Sequence, residues 1–140
     1  MNVRDVMTSN PRTVSPGDSI QVAARIMREE DTGVVPIVEN GKTVGIITDR
    51  DIVIRAIADG SGCDRPVREI ATNDLVFVKP DASTKDAEKL MSERQIRRLP
   101  VVEGDRLVGI ISLGDIAVKE GGDSRTGDTL ESISEGVKKH

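Results

Sequence analysis

The chain has 140 residues and a net charge of −4, with 36% hydrophobic and 31% charged residues, one aromatic side chain, one cysteine and one histidine. That length sets a prior of one compact domain, and the acidic balance, with an isoelectric point near 5.1, excludes nucleic acid as the main partner because neutralising phosphates needs a basic face. Phe77 alone gives no stacking platform for single-stranded bases, no apolar run approaches the ~18 residues of a membrane span, and the N-terminus lacks the apolar core of a signal peptide.

In chain order, Val3, Val6 and Met7 stand at i, i+3 and i+4 and predict a short helical lead-in. Thr13-Val14 reads as a short strand ended by Pro16. A helix follows, which Asp18 or Ser19 can cap, with Ile20, Ala23, Ala24 and Met27 on one face. Val34 to Val38 is a near-continuous apolar strand of the kind covered on both faces. Asn40-Gly41 then predicts a type I′ turn, whose two central residues both need positive φ, so Ile37-Val38 pairs antiparallel with Val44 to Ile47. Thr48 and Asp51 have the S/T-x-x-D/E spacing that opens a helix, predicted over Ile52 to Ala58. Cys63 lies in a Gly-Ser-Gly loop. A lone cysteine excludes an intramolecular disulfide and fits a reducing, cytoplasmic compartment; it is read as a tolerated loop thiol.

From Val67 the pattern runs again. Val67, Ile70 and Ala71 repeat the lead-in, Phe77-Val78 is a strand ended by Pro80, and Ser83 caps a helix with Ala87, Leu90 and Met91 inward. Leu99 to Val102 and Val108 to Ile111 form the second hairpin, and Ser112 and Asp115 precede a helix over Ile116 to Lys119. Slid by 64 residues without gaps, positions 3–56 match 67–120 at 18 of 54 places, including Met27/Met91, Gly45/Gly109 and Asp51/Asp115, where chance gives about three. Each copy reads β-α-β-β-α, so the fold class is mixed α/β (α+β), with two pseudo-symmetric repeats packed as one module. The divisions are 1–62 for the first repeat with its lead-in, 63–120 for the second, and 121–140 for a flexible joint and short tail, where Leu130, Ile133 and Val137 recur at helical spacing. A copy of this size buries only about 60% of its unfolded surface, so the copies are expected to share one core.

Two such repeats carrying h-P-h-V-E-x-x-x-x-V-G-I-I-[ST]-x-x-D-I over residues 3 to 120 resemble the CBS domain pair, or Bateman module. Gly45 to Ile57 is similar to stand-alone bacterial CBS-pair proteins, including the hypoxic-response type. The resemblance implies sensing of adenine nucleotides (AMP, ADP or ATP) or S-adenosylmethionine in clefts between the repeats, as regulatory ligands and not as required cofactors. Carried over residue by residue, it implies one site from Thr48 and Asp51 with Phe77, Arg97 and Arg98. The other joins Ser112 and Asp115 to Thr13, Gly33 and Val34. An ionised Asp is acceptor-only and can take both ribose hydroxyls.

The plainer reading of Thr48/Asp51 and Ser112/Asp115 is a capping box, hydroxyl to the N3 amide and carboxylate back to the cap amide, and spacing does not separate the two. Asp49 and Asp51 have no nearby His or Cys and are read as a solvated helix start, not a metal site. Catalysis has no support, since the single histidine is His140 and no serine stands in a nucleophile-elbow pattern. The expectation is a non-enzymatic regulatory module binding an adenosine-containing ligand, with a ligandless dimerisation and interaction module as the alternative. The family's stacking habit, together with apolar Val53, Ile54 and Ile57 around one short helix, predicts a homodimer, and a regulated protein is a further possible partner.

Overall fold

The computed structural model describes residues 1–73 and 75–120. The predicted helical spacing at Leu130, Ile133 and Val137 and the joint at 121–126 lie outside the described residues. In chain order the elements are α1 (Val3–Val6), β1 (Thr8–Ser9), α2 (Ile20–Glu30), β2 (Val34–Glu39), β3 (Lys42–Thr48) and α3 (Asp49–Asp51), which continues as a π-helical turn (Ile52–Ile57). After a 3-10 turn (Val67–Glu69) come α4 (Thr84–Arg94), β4 (Arg98–Glu103), β5 (Arg106–Ser112) and α5 (Leu113–Glu120). They fall into two compact units, Pro11–Leu75 on one side and Met1–Asn10 with the chain from Val76 on the other. Each unit carries the helices and hairpin of one repeat and the lead-in of the other.

In the unit Pro11–Leu75, Asn40 and Gly41 take φ of 54° and 80°, as a type I′ turn requires. They leave Glu39 opposite Lys42, with a bulge between Ile37 and Val38. Ser19, not Asp18, caps α2, accepting from the Val22 amide at 3.3 Å; Asp18 accepts from the Ser15 amide at 2.8 Å. The buried face of α2 is Ile20, Ala23 and Ile26, so Ala24, predicted inward, is exposed. The stripe follows i, i+3, i+6 and leaves position 24 on its rim. These side chains pack with Val14, Ile37, Ile47 and, from the second lead-in, Val67, Ile70 and Ala71.

The unit formed by Met1–Asn10 and the chain from Val76 repeats the plan. Gly104 alone takes positive φ in its turn, at 64°, the pattern of a type II′ hairpin. Ser83 caps α4. Here the buried positions are Thr84, Ala87, Glu88 and Met91, so the inward stripe is rotated relative to α2: Glu88 is 1% exposed, while Ala24 at the matching position faces out. Val3 and Val6 of the first lead-in join Met91, Leu99, Ile111 and Ile116 in the core. Among the described residues, buried apolar side chains thus form two clusters instead of the single shared core expected, and each short repeat enlarges its own by taking in the other's lead-in.

The strands expected at Thr13-Val14 and Phe77-Val78 shrink to single parallel bridges, Val14 to Ile37 and Val78 to Val101. Each bridge residue makes both of its backbone bonds: Val14 donates to the Pro36 carbonyl at 3.0 Å and Val38 donates to Val14 at 2.8 Å. The next donor in a parallel ladder falls two residues on, at Pro16 or Pro80, and proline has no N–H to give.

What closes each hairpin is the lead-in. Thr8 and Ser9 pair with Ile110 and Gly109, and Thr72 exchanges backbone bonds of 2.9 and 3.0 Å with Ile46. Both contacts depend on glycine. A Cβ on Gly109 would stand 2.8 Å from the Thr8 carbonyl oxygen and 2.6 Å from the Met7 sulfur, and one on Gly45 would stand 3.2 Å from the Thr72 carbonyl oxygen. Gly109→Ala is therefore expected to cost about 1–3 kcal/mol in a urea melt, and Gly45→Ala less. Gly114→Ala, in open helical surroundings, should instead stabilise by about 0.5–1 kcal/mol. Equal melts for Gly109→Ala and wild type would contradict the close approach.

Candidate functional site

The two predicted hydroxyl–carboxylate pairs stand where each hairpin turns into a helix. Thr48 ends β3 in extended conformation and becomes the N-cap of α3. The Asp51 amide donates to Thr48 Oγ1 at 3.0 Å, and the Thr48 amide donates back to Asp51 Oδ2 at 3.0 Å. In the other unit the Asp115 amide donates to Ser112 Oγ at 3.0 Å and the Ser112 amide to Asp115 Oδ2 at 3.1 Å. The plain capping box is present at both places, and in both it engages Oδ2, so Oδ1 is left outside the cap.

The residue after each cap ties it to the start of the preceding strand, the Asp49 amide to the Gly33 carbonyl at 3.0 Å and the Leu113 amide to the Arg97 carbonyl at 2.9 Å. The side chains then part company. Leu113 is 1% exposed and sits in its unit's core. Asp49 is exposed, and its carboxylate lies where a Cβ on Gly33 would come within 2.9 Å. A charged side chain here does not enter an apolar core, and glycine beside it makes the room that Arg97, beside Leu113, does not need.

Gly33 and Val34 are buried next to Thr48, which pairs with Val34 across the hairpin; Thr13, exposed, belongs to the same unit. Arg98 pairs with Ser112 on the β4–β5 ladder, and Arg97, Arg98 and Phe77 are exposed. Each unit thus gathers the strand start and the capping box of one repeat, whereas the sets implied by the family resemblance draw on both units.

Asp51 and Asp115 share a cap but not a setting. Asp51 is 7% exposed, with the Thr72 hydroxyl 3.3 Å from Oδ1 and 3.4 Å from Oδ2 and the Arg55 guanidinium 3.7 Å from Oδ1. Asp115 is half-buried and, among the described residues, makes only the cap bonds. Sequence reasoning missed Thr72 and Arg55. The signal for Thr72 was in the repeat, which sets Thr8 against Thr72; Arg55, aligned with Lys119, carried none beyond its charge.

Among the described residues no group of three or more His, Cys, Asp and Glu side chains could hold a metal ion, and no helix is long and apolar enough to cross a membrane. Cys63 is exposed and free.

A model of the CBS domain matches residues 3–57 and 67–120, one match per repeat. The chain is 44% identical over 133 residues to the CBS domain-containing protein YhcV of Bacillus subtilis (strain 168), covering 95% of each chain. It is 37% identical over 116 residues to hypoxic response protein 1 of Mycobacterium tuberculosis (strain ATCC 25618 / H37Rv), 81% of each chain. Among solved structures, the CBS domain pair of protein MJ0100, in complex with 5′-methylthioadenosine and S-adenosyl-L-methionine, superposes with a TM-score of 0.79 at 33% identity, covering 87% of this chain and 97% of that one. Two hairpins of like register, each ending in the same capping box and each matched by the family model, establish that the chain belongs to the CBS domain family, as a pair of CBS domains.

Proposed function

We propose that this CBS pair is a non-catalytic regulatory module that binds an adenosine-containing ligand, of the AMP, ADP or ATP class or S-adenosylmethionine, in the cytoplasm. The observation that carries the reading is the matched pair of carboxylates, Asp51 and Asp115. Each is fixed through Oδ2 by its own cap, so Oδ1 is outside the cap and oriented. An oriented acceptor at a strand-to-helix corner suits ribose hydroxyls. Arg97 and Arg98 make no ion pair among the described residues and supply cations for phosphate. The MJ0100 pair, with its two adenosyl compounds, supports the ligand class. Neither segment matched by the family model contains a histidine or a cysteine, which supports a role outside catalysis.

The test is calorimetric titration, after a thermal-shift panel of AMP, ADP, ATP and S-adenosylmethionine in which a ligand at 100 times its Kd stabilises by roughly 2.7 kcal/mol. Arg97 and Arg98 align with Gly33 and Val34, so only one of the two sites implied by the family gains guanidinium groups, and the two binding events are expected to be unequal. Charge-assisted bonds are worth about 1.5–3 kcal/mol, so Asp51→Ala and Arg98→Ala should each weaken the tighter event roughly 10- to 150-fold, whereas Asp115→Ala leaves it in place. A tight event that survives Asp51→Ala and disappears with Asp115→Ala would assign the ligand to the other carboxylate. If Asp51 is a cap and nothing more, its loss lowers stability by about 1 kcal/mol and titrations stay unchanged.

Phosphate dependence is a separate expectation. With Phe77 the only aromatic, aliphatic and backbone contacts hold the base and the charged end contributes much of the affinity. Adenosine should bind clearly more weakly than AMP or ADP; equal affinities would remove the arginines from the mechanism.

A ligandless dimerisation module is the second reading, favoured by one observation. Val53, Ile54 and Ile57 on the π turn are 55%, 50% and 65% exposed, an apolar cluster that water covers poorly. Homodimerisation is compatible with both readings and lets the module act on a regulated protein. Light scattering at high micromolar concentration should give about twice the 15.1 kDa chain mass, and Ile57→Asp should return it to the monomer value. A wild-type particle of monomer mass would end the dimer proposal.

A further inference from the structure

Asp51 is held by more than a cap needs. Besides the Thr48 amide, its carboxylate faces the Thr72 hydroxyl and the Arg55 guanidinium. At the matching positions of the other repeat stand Thr8 and Lys119, and among the described residues neither makes a hydrogen bond or ion pair with Asp115. The backbone does not explain the difference, because Thr8 pairs with Ile110 just as Thr72 pairs with Ile46. The distinct element is Arg55, which leaves the π turn and donates from Nη1 to the carbonyls of Ile70 and Ala71 at 3.1 and 3.2 Å. That draws the two residues before Thr72 against the turn that follows Asp51. Arg55 is half exposed and 3.7 Å from Asp51, so its charge is worth little there; its contribution is geometric.

We infer that Thr72 and Arg55 are positioning residues for Asp51, setting its carboxylate to receive the two hydroxyls of a ribose and so to discriminate ribose from 2′-deoxyribose. The inference rests on the reading of Asp51 as the ribose acceptor. An ionised carboxylate offers about four acceptor positions. The Thr48 amide and the Thr72 hydroxyl use two, which leaves two for the paired O–H donors of a diol. Asp115, fixed by its cap alone, has three to fill and less to hold its rotation. A group already oriented has less freedom to lose on binding.

The experiment is calorimetric titration of the full chain with AMP and with 2′-deoxy-AMP. Wild type should favour AMP roughly tenfold or more, the worth of one good hydrogen bond to a charged acceptor. Thr72→Val, which keeps the shape and removes the hydroxyl, should weaken AMP about tenfold and deoxy-AMP much less, compressing the preference toward one. Thr72→Ser should restore it. Arg55→Met, which keeps the stem and removes the donors, should compress the same preference and keeps the test alive if Thr72→Val is poorly folded. A purely structural role would lower both affinities together or neither. If Asp51→Ala abolishes AMP binding while Thr72→Val and Arg55→Met keep the wild-type preference, this inference is wrong and the ribose reading stands. If Asp51→Ala leaves AMP binding intact, both fall; if wild type binds neither nucleotide, this inference falls and the ribose reading then rests on the remaining ligands of the thermal-shift panel.

Discussion

The second strand of each hairpin has to let another backbone come almost into contact with it. At Gly109 the Thr8 carbonyl, and at Gly45 the Thr72 carbonyl, occupy space that a side chain would claim. Much else depends on that permission. The lead-in of one repeat can lie against the hairpin of the other, its apolar residues can enter that hairpin's core, and a β-α-β-β-α unit too small to bury enough surface alone gains Val3 and Val6 in one case and Val67, Ile70 and Ala71 in the other. The swap is what turns a tandem repeat into two compact units.

The same contact reaches the site. Thr72 is opposite Ile46 because its backbone is bonded there, and Ile46 lies two residues before the cap at Thr48. A hydroxyl carried by one repeat's lead-in is thereby delivered to the carboxylate of the other repeat's capping box. Where the swap is repeated, at Thr8 and Ile110, the backbone pairing is the same and the side-chain contact is not made. Small differences around an identical motif, Arg55 against Lys119 and a π turn against a regular helix, are enough to give two carboxylates different surroundings. Extra residues in a π turn commonly accompany functional positions, and here the turn aims Arg55 at two carbonyls.

Features decided within a few residues were legible in advance. The Asn40-Gly41 turn, the cap at Ser83 and both capping boxes follow from backbone chemistry that three or four consecutive residues settle, while Asp18 and Ser19 stayed open as caps of α2 until the structure chose Ser19. The repeat made the fold legible too, since 18 shared positions at one constant offset leave little freedom to assign different architectures to the copies. Less could be read of the helix faces. Ala24 and Glu88 occupy one alignment position, and their burial is the reverse of what their chemistry predicts, because what a helix buries depends on how it is rotated against the sheet.

By itself, the sequence determined the two hairpins and the helices around them, the turn type at Asn40-Gly41 and the presence of a hydroxyl and a carboxylate at each strand-to-helix corner, all consequences of local φ/ψ preference and short-range hydrogen bonding. Tertiary structure alone decided that Thr13-Val14 and Phe77-Val78 would be single bridges, that each lead-in would serve the other repeat's core, and that Thr72 would meet Asp51 across 21 residues of chain. Those outcomes come from which backbones approach one another, and that is fixed by packing between segments far apart in sequence, where no local preference reaches.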